Sequence, residues 1–430
     1  MDIVKKEILG VPVWVYLCAF VPRLLLLAAA AGNLPYCVTL DSKGYLELAA
    51  GLSAGVFALP GADGGLLTET LRTPGYPLFL AALGFLPGSL VLNAAIAQTL
   101  LGGLTVLFAW KWFEKIAGRR GAVAGALFFS LDYVSIMHTP LLLAEVLLMA
   151  FVVPAAAFGW KAVEDGSLRA AGGSGFLWAL ASFVKPVTLY LPLLLAPLLW
   201  RRKRHMFFFL LLAYSIPFAW SLRNYARTGY FTYSTIGGVV LLRYSAGRVE
   251  ALRTGKDFQE TSGALVAAAD GDYPSDAARS AAYSARALEI LKAHPFLTVR
   301  YLLRDLFSTV GGTGAEMLPQ ALGLPGPQEG AAGGVGSGTR ALLRAYPALW
   351  PLQIGYLLFL AAVYFLFARG VRALKLSGRR GALAFLLICT LYLFAMASTN
   401  GYYRYRIPPM LFLAAGAALA FSGADRKKEA

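Results

Sequence analysis

Charge is what this chain has least of. Charged side chains make up 14% of its 430 residues, against about a quarter in soluble globular proteins, which excludes an ordinary water-soluble domain. Cysteine is scarce as well: of three, Cys18 and Cys389 fall inside apolar runs and Cys37 stands apart, so no disulfide framework is expected. His138, His205 and His294 are scattered and lack the HExxH or CxxC spacing of a zinc site. No metal and no cofactor is therefore expected. Acidic residues number 23 against 39 Lys and Arg, a formal net charge of +16. Such an excess can mark a nucleic-acid binder, but its placement excludes that here. The basic residues gather in short clusters between apolar runs: Lys5-Lys6, Lys111 to Arg120, Arg201 to Arg204, Arg369 to Arg380 and Arg426 to Lys428. That is the pattern of cytoplasmic loops in a membrane protein.

What the chain does have is apolar side chains, 58% of the total. Several runs reach the length of about 20 residues that a helix needs to cross the hydrocarbon layer. They are too long and too uniformly apolar for the strands of a barrel, so the expected fold is an all-α polytopic membrane protein. About ten transmembrane helices are predicted by counting such runs. They lie near 8–31, 90–112, 120–138, 141–161, 206–221, 349–368, 381–398 and 408–422, with two short or tilted spans in 174–200 meeting at Lys185-Pro186. The first is expected to remain as a helix rather than act as a cleaved leader. Residues 32–89 form a first outer loop with a surface helix at 76–86. Residues 223–345 form a second outer region, with amphipathic stretches at 276–292 and from Pro295 onward. In the latter, Phe296, Val299, Leu302, Leu303 and Leu306 share one face, as in a helix lying in the interface plane. Residues 325–338, rich in Gly, Ala and Pro, are expected to be a flexible loop. No internal repeat is evident, so 1–430 is read as a single membrane-embedded domain.

This topology puts the unusual polar residues on one side. Asp41, Arg72, Tyr76, His138, Glu145, Lys185, Arg223 and the run Tyr402-Tyr403-Arg404-Tyr405-Arg406 all fall near the outer surface. Ionisable groups at membrane depth are costly and in a bundle usually mark a functional cavity. Each also has a plainer reading. Asp41 fits a helix N-cap, and Glu145 opens an inward-running helix whose dipole favours a negative charge. Lys185 fits a snorkelling lysine, and the tyrosines and arginines near 404 fit an interfacial aromatic belt.

Taken in order, these elements resemble the GT-C superfamily of membrane glycosyltransferases that use polyprenyl-phosphate sugars. The nearest branch resembles bacterial relatives of protein O-mannosyltransferases and lipid A aminoarabinose transferases. The resemblance rests on Asp41-Ser42 … Tyr45-Leu46 … Ala49, Arg72-Thr73-Pro74-Gly75-Tyr76-Pro77, Glu145, Val184-Lys185-Pro186, Trp220 … Arg223-Asn224-Tyr225 and Tyr403-Arg404-Tyr405-Arg406 … Pro408. It implies that Asp41 is the catalytic carboxylate and that Glu145 shapes the acceptor or sugar site. It further implies that Lys185, Arg404 and Arg406 lie near the donor phosphate, with Arg72, Tyr76, Arg223 and Tyr403 completing the substrate site. Asp41 is followed by Ser42 where many protein mannosyltransferases carry an Asp-Glu pair. The implied partners are a polyprenyl-phosphate-linked donor, a lipid, glycan or protein acceptor, and the bacterial inner membrane with the site facing the periplasm. A ligase or polymerase of lipid-linked glycans is the alternative, and a transporter or flippase a more distant one. A transporter should show inverted repeats and broken helices at the membrane midplane.

Overall fold

Caps, prolines and glycines cut the apolar chain into helices. The computed structural model describes residues 6–60, 66–324, 343–399 and 401–422. Lys5, the Gly-rich stretch 326–338 and the 426–428 cluster lie outside the described residues. A short ribbon of β1 (Glu7–Ile8) and β2 (Val11–Pro12) precedes α1 (Val13–Ala31). In α2 (Leu40–Ser53), the Thr39 side chain accepts from the Ser42 amide while Ser42 Oγ accepts from the Thr39 amide at 2.9 Å, a reciprocal cap. The sequence does not announce the next feature, an antiparallel hairpin of β3 (Ala58–Pro60) and β4 (Leu66–Thr68) with Leu59 opposite Leu67. The surface helix expected at 76–86 is α3 (Gly75–Leu83).

Ser89 caps α4 (Leu90–Ser130), which folds back at Gly118, where φ is 72°. Glycine takes that left-handed conformation without a Cβ clash. The rings of Phe113 and Phe129, which a straight helix would hold about 24 Å apart, are 6.3 Å apart. This is the hairpin expected of 90–112 and 120–138. Next come α5 (Glu145–Asp165) and α6 (Leu168–Val184), the latter capped by Ser167. Proline at 186 drives Lys185 out of helical geometry, to φ −149° and ψ 124°. The chain continues in short turns at Pro186–Thr188, Leu191–Leu195 and Ala196–Leu199 before α7 (Lys203–Thr228). Helix α7 runs past the expected 206–221, so Arg223 lies on the helix and not in a loop.

The outer region carries α8 (Asp276–Ala293) and α9 (Pro295–Gly311), which pack with residues of 236–269 around a second apolar core of Leu242, Ala246, Val249, Tyr283, Ala287, Ile290 and Tyr301. Helix α9 leaves Phe296, Val299, Leu303 and Phe307 exposed, whereas Leu302 turns inward onto this core. The chain then forms α10 (Leu349–Leu376), α11 (Arg380–Ala397) and α12 (Ile407–Leu419).

The protein is a helical, multi-pass membrane protein. Among the described residues, six helices are long and apolar enough to cross a membrane: α1, α4, α5, α7, α10 and α11. These six do not confirm the expected count of about ten: α4 holds two of the expected runs, folded back at Gly118, and α6 and α12 are shorter, with 17 and 13 residues. Helix α12 has 13 residues, every one of them buried, so its apolarity serves packing against protein rather than contact with lipid. It sits against α4, α5, α10 and α11. A Cβ on Gly370 of α10 would come within 2.0 Å of the Gly416 carbonyl oxygen in α12, so the two backbones meet in a contact only glycine permits. The 3₁₀ turn that leads into this central helix carries Arg404 and Arg406.

Candidate active site

The site is built from four segments distant in sequence. Thr39, not Asp41, caps α2, so Asp41 in the first turn is free to make another contact. Its side chain is 47% exposed, and its Oδ2 accepts from Arg404 Nη2 at 2.7 Å. Ser42 Oγ donates to the Leu142 carbonyl at 2.8 Å, and the Leu142 amide donates to the Cys37 carbonyl at 2.8 Å. These bonds fasten the start of α2 to the segment just before Glu145.

Glu145 begins α5 without a side-chain cap preceding it and is buried. Its Oε1 accepts from Lys185 Nζ at 2.7 Å and lies 3.8 Å from Arg404 Nε. Lys185 reaches it because the extended backbone before Pro186 carries the side chain off the helix. Tyr405 lies beside both cations: Lys185 Nζ is 5.1 Å and the Arg404 guanidinium 5.0 Å from its ring centroid, within cation–π range. Arg404 Nη2 also donates to the Tyr405 hydroxyl at 3.1 Å. The Tyr402 ring lies 5.7 Å from the same guanidinium. Burial works against the charge on Arg404, yet Tyr405, Glu145 and Asp41 hold it above the ordinary guanidinium range. Asp41, Glu145, Lys185 and Arg404 thus form a set of two negative and two positive charges that sums to zero.

The remaining predicted residues divide. Arg72 stacks 5.6 Å over Tyr45, one turn after Asp41 on α2, and so borders the cluster. Tyr76 is fully buried; its hydroxyl donates to Gln98 Oε1 at 2.7 Å, and Gln98 Nε2 donates to the Thr139 and Leu141 carbonyls at 3.1 and 2.6 Å. Tyr76 therefore orders the segment ahead of Glu145. Arg223 faces elsewhere, donating to the Glu69 and Phe57 carbonyls at 3.1 and 3.0 Å and lying 4.7 Å over the Trp220 ring. It holds the β3–β4 hairpin against α7. Tyr403 and Arg406 also turn away from the cluster. Residues 403–406 form a 3₁₀ turn, in which positions i and i+3 lie on one face. Both are buried: Tyr403 donates to Glu316 at 2.6 Å, and Arg406 to the Thr309 and Val310 carbonyls and the Tyr356 hydroxyl at 2.7, 2.9 and 2.8 Å. Tyr356 in turn donates to buried Asp132. His138 is buried near Glu145 and lines a small cavity with it. In sequence, Tyr405 stands in the outer polar run without an assigned role, because it reads locally as an interfacial aromatic, and Asp132 is not singled out, because it reads as a helix cap.

A cavity of about 20 Å³ lies among Glu145, Lys185, Arg404, Tyr405, Leu393 and Pro408, roughly the space of one water. Two larger cavities, of about 490 and 460 Å³, flank the β3–β4 hairpin and share Thr68 and Arg227; none of the four clustered charges lines them. Among the described residues, no three His, Cys, Asp or Glu side chains converge as a metal site would require. The cluster can nonetheless neutralise an anion with Lys185 and Arg404, and it presents a half-exposed carboxylate, Asp41, beside them.

Residues 72–246 match the family model described as dolichyl-phosphate-mannose-protein mannosyltransferase. That stretch contains Arg72, Tyr76, Glu145, Lys185 and Arg223; Asp41 and the 402–406 turn lie outside it. Among solved structures, the chain is similar to ArnT from Cupriavidus metallidurans bound to undecaprenyl phosphate, with 16% identity and a TM-score of 0.40, covering 96% of this chain and 78% of that one. It is also similar to the same protein in its apo state, with 15% identity and a TM-score of 0.38, covering 94% and 79%. No curated protein matches.

Proposed function

We propose that the chain is a membrane glycosyltransferase of the GT-C superfamily, a reading the match over residues 72–246 supports, and that the Asp41 cluster moves a hexosyl or pentosyl unit from a polyprenyl-phosphate donor onto an acceptor hydroxyl. The donor class follows the description of the matching family, which names dolichyl-phosphate-mannose. The observation that carries the reading is the meeting of Asp41, Glu145, Lys185 and Arg404 in one cluster at the ends of apolar helices.

In this mechanism Asp41 takes the proton of the acceptor hydroxyl as that oxygen bonds to the anomeric carbon. The bond from that carbon to the phosphate oxygen breaks, and its electron pair leaves with the phosphate. Lys185 and Arg404 stabilise the charge that develops there; the planar donors of arginine match phosphate oxygens in pairs. Glu145 is the counter-ion that keeps both cations in place, since its Oε1 is already taken by Lys185. A single displacement with one base inverts the anomeric carbon. Retention would need a second carboxylate as nucleophile, as in glycosidases. The acceptor is a glycolipid, polysaccharide or protein of the cell envelope, reached from the periplasmic side of a bacterial inner membrane, with the basic loops facing the cytoplasm.

Purified protein incubated with radiolabelled polyprenyl-phosphate sugars and envelope acceptors tests this. Asp41→Asn removes the base with little change of shape and should abolish labelled product while expression is unchanged. Near-normal turnover by that variant would end the assignment of Asp41 as the base.

A further inference from the structure

The two carboxylates of the cluster differ in a way that fixes which can yield. The Glu145 side chain is 4% exposed and bonded to Lys185, whereas that of Asp41 is 47% exposed and contacts Arg404 at the open edge of the site. Arg404 Nε is buried without a hydrogen bond, and the space beside Lys185 and Arg404 is about 20 Å³, too small for a phosphate. The four charges already cancel, so a phosphate brings negative charge to cations that both have partners. It must displace one of the carboxylates. Glu145 is almost wholly buried; Asp41 is open to water.

Resting on the donor reading above, we propose that the Asp41–Arg404 ion pair is the donor-free state of the site, and that the donor phosphate takes Arg404 from Asp41, releasing that carboxylate to act as base. Lys185 stays with Glu145, while the guanidinium exchanges a carboxylate for a phosphate that can use two of its donors at once. The consequence is an order of events. Asp41 is held by Arg404 until the donor is seated, so the acceptor hydroxyl meets a free base only when a sugar is ready to receive it.

The test measures binding of undecaprenyl phosphate itself, without sugar or acceptor, to the full chain in nanodiscs. Because Asp41 competes with the phosphate for Arg404, Asp41→Asn should bind it more tightly, by about fivefold for an ion pair of this exposure, even though that variant is catalytically dead. Glu47→Gln makes the same charge change on an exposed position of the same helix and should leave affinity unchanged. In an Arg404→Gln background, where Asp41 has no cation at 404 to hold, the gain from Asp41→Asn should vanish. Unchanged or weaker binding by Asp41→Asn, with Arg404→Gln still impaired, overturns the exchange and leaves the donor reading standing. Equal tightening by Glu47→Gln overturns it as well, since general electrostatics would then suffice. If Arg404→Gln binds as the wild type does, the phosphate does not sit at Arg404 and the donor reading itself falls.

Discussion

Removing Lys185 should cost more than removing Lys185 and Glu145 together. Glu145 is a buried carboxylate with one hydrogen-bonded counter-ion at 2.7 Å, Lys185, and a second cation, Arg404, whose Nε is 3.8 Å away. Truncating one partner of such a pair typically costs about 3–5 kcal/mol, because the other is left charged and out of water. Lys185→Met keeps most of the apolar stem but removes the ammonium. Arg404 remains close enough to offset part of the loss, so the expected cost is at the low end, about 3 kcal/mol. The double variant Glu145→Gln/Lys185→Met removes both charges and leaves no stranded ion; it should recover more than half of that, to within about 1.5 kcal/mol of the wild type. Equilibrium unfolding in mixed micelles, with the single variants completing the cycle, reads the coupling directly. If Lys185→Met is as stable as the wild type, or the double variant is as unstable as the single, Glu145 is not held by Lys185. The role given to it as the fixed counter-ion then goes.

Three further outcomes follow from the same geometry. Arg406→Lys should destabilise the fold by about 2 kcal/mol, since lysine cannot fork between two carbonyls and a hydroxyl, yet leave undecaprenyl-phosphate affinity intact, unlike Arg404→Gln; lost affinity in both would contradict the division of the two arginines. Thr39→Ala removes the cap of α2 and should cost about 1 kcal/mol, with a fall in transfer rate as Asp41 loses its seat; unchanged rate and stability would show that the cap does not position it. Glu69, 4% exposed in the loop before α3, accepts the Leu71 and Arg72 amides, and burial raises its pKa from the ordinary 4.5 despite those bonds and the nearby Arg72 charge. A raised folded-state pKa means stability present at acid pH is lost as pH rises through that pKa. Glu69→Gln, which can still accept both amides, should flatten the dependence above about pH 4.5, and an unchanged pH profile of unfolding would refute the assignment.

The sequence made most of the scaffold legible because its signals are local. Apolar runs, the basic clusters between them, and the proline that turns Lys185 out of its helix each act within a few residues. Local signals do not show what surrounds a helix: a run such as Ile407–Leu419 has the composition of a membrane helix, and only tertiary packing shows that protein surrounds it on every side. The polar residues are the sharper case. Charge and topology group Asp41, Glu145, Lys185, Arg404 and Arg406 on one side, but they cannot choose between Arg404 and Arg406. That choice is made by the 3₁₀ turn at Tyr403–Arg406, which sends positions 403 and 406 inward together.

Nor can composition say which carboxylate is buried, and the proposed chemistry depends on that difference. Glu145 is enclosed because the segment before it is pinned by Gln98 to the Thr139 and Leu141 carbonyls, by Ser42 to the Leu142 carbonyl, and by the Leu142 amide to Cys37. Asp41 stays half-open because Thr39 takes the capping task that would otherwise have fixed it. Every residue that makes this distinction is uncharged. Their contacts join segments far apart in the chain, so a reading that looks for function among ionisable side chains finds the right charges and misses what separates their roles.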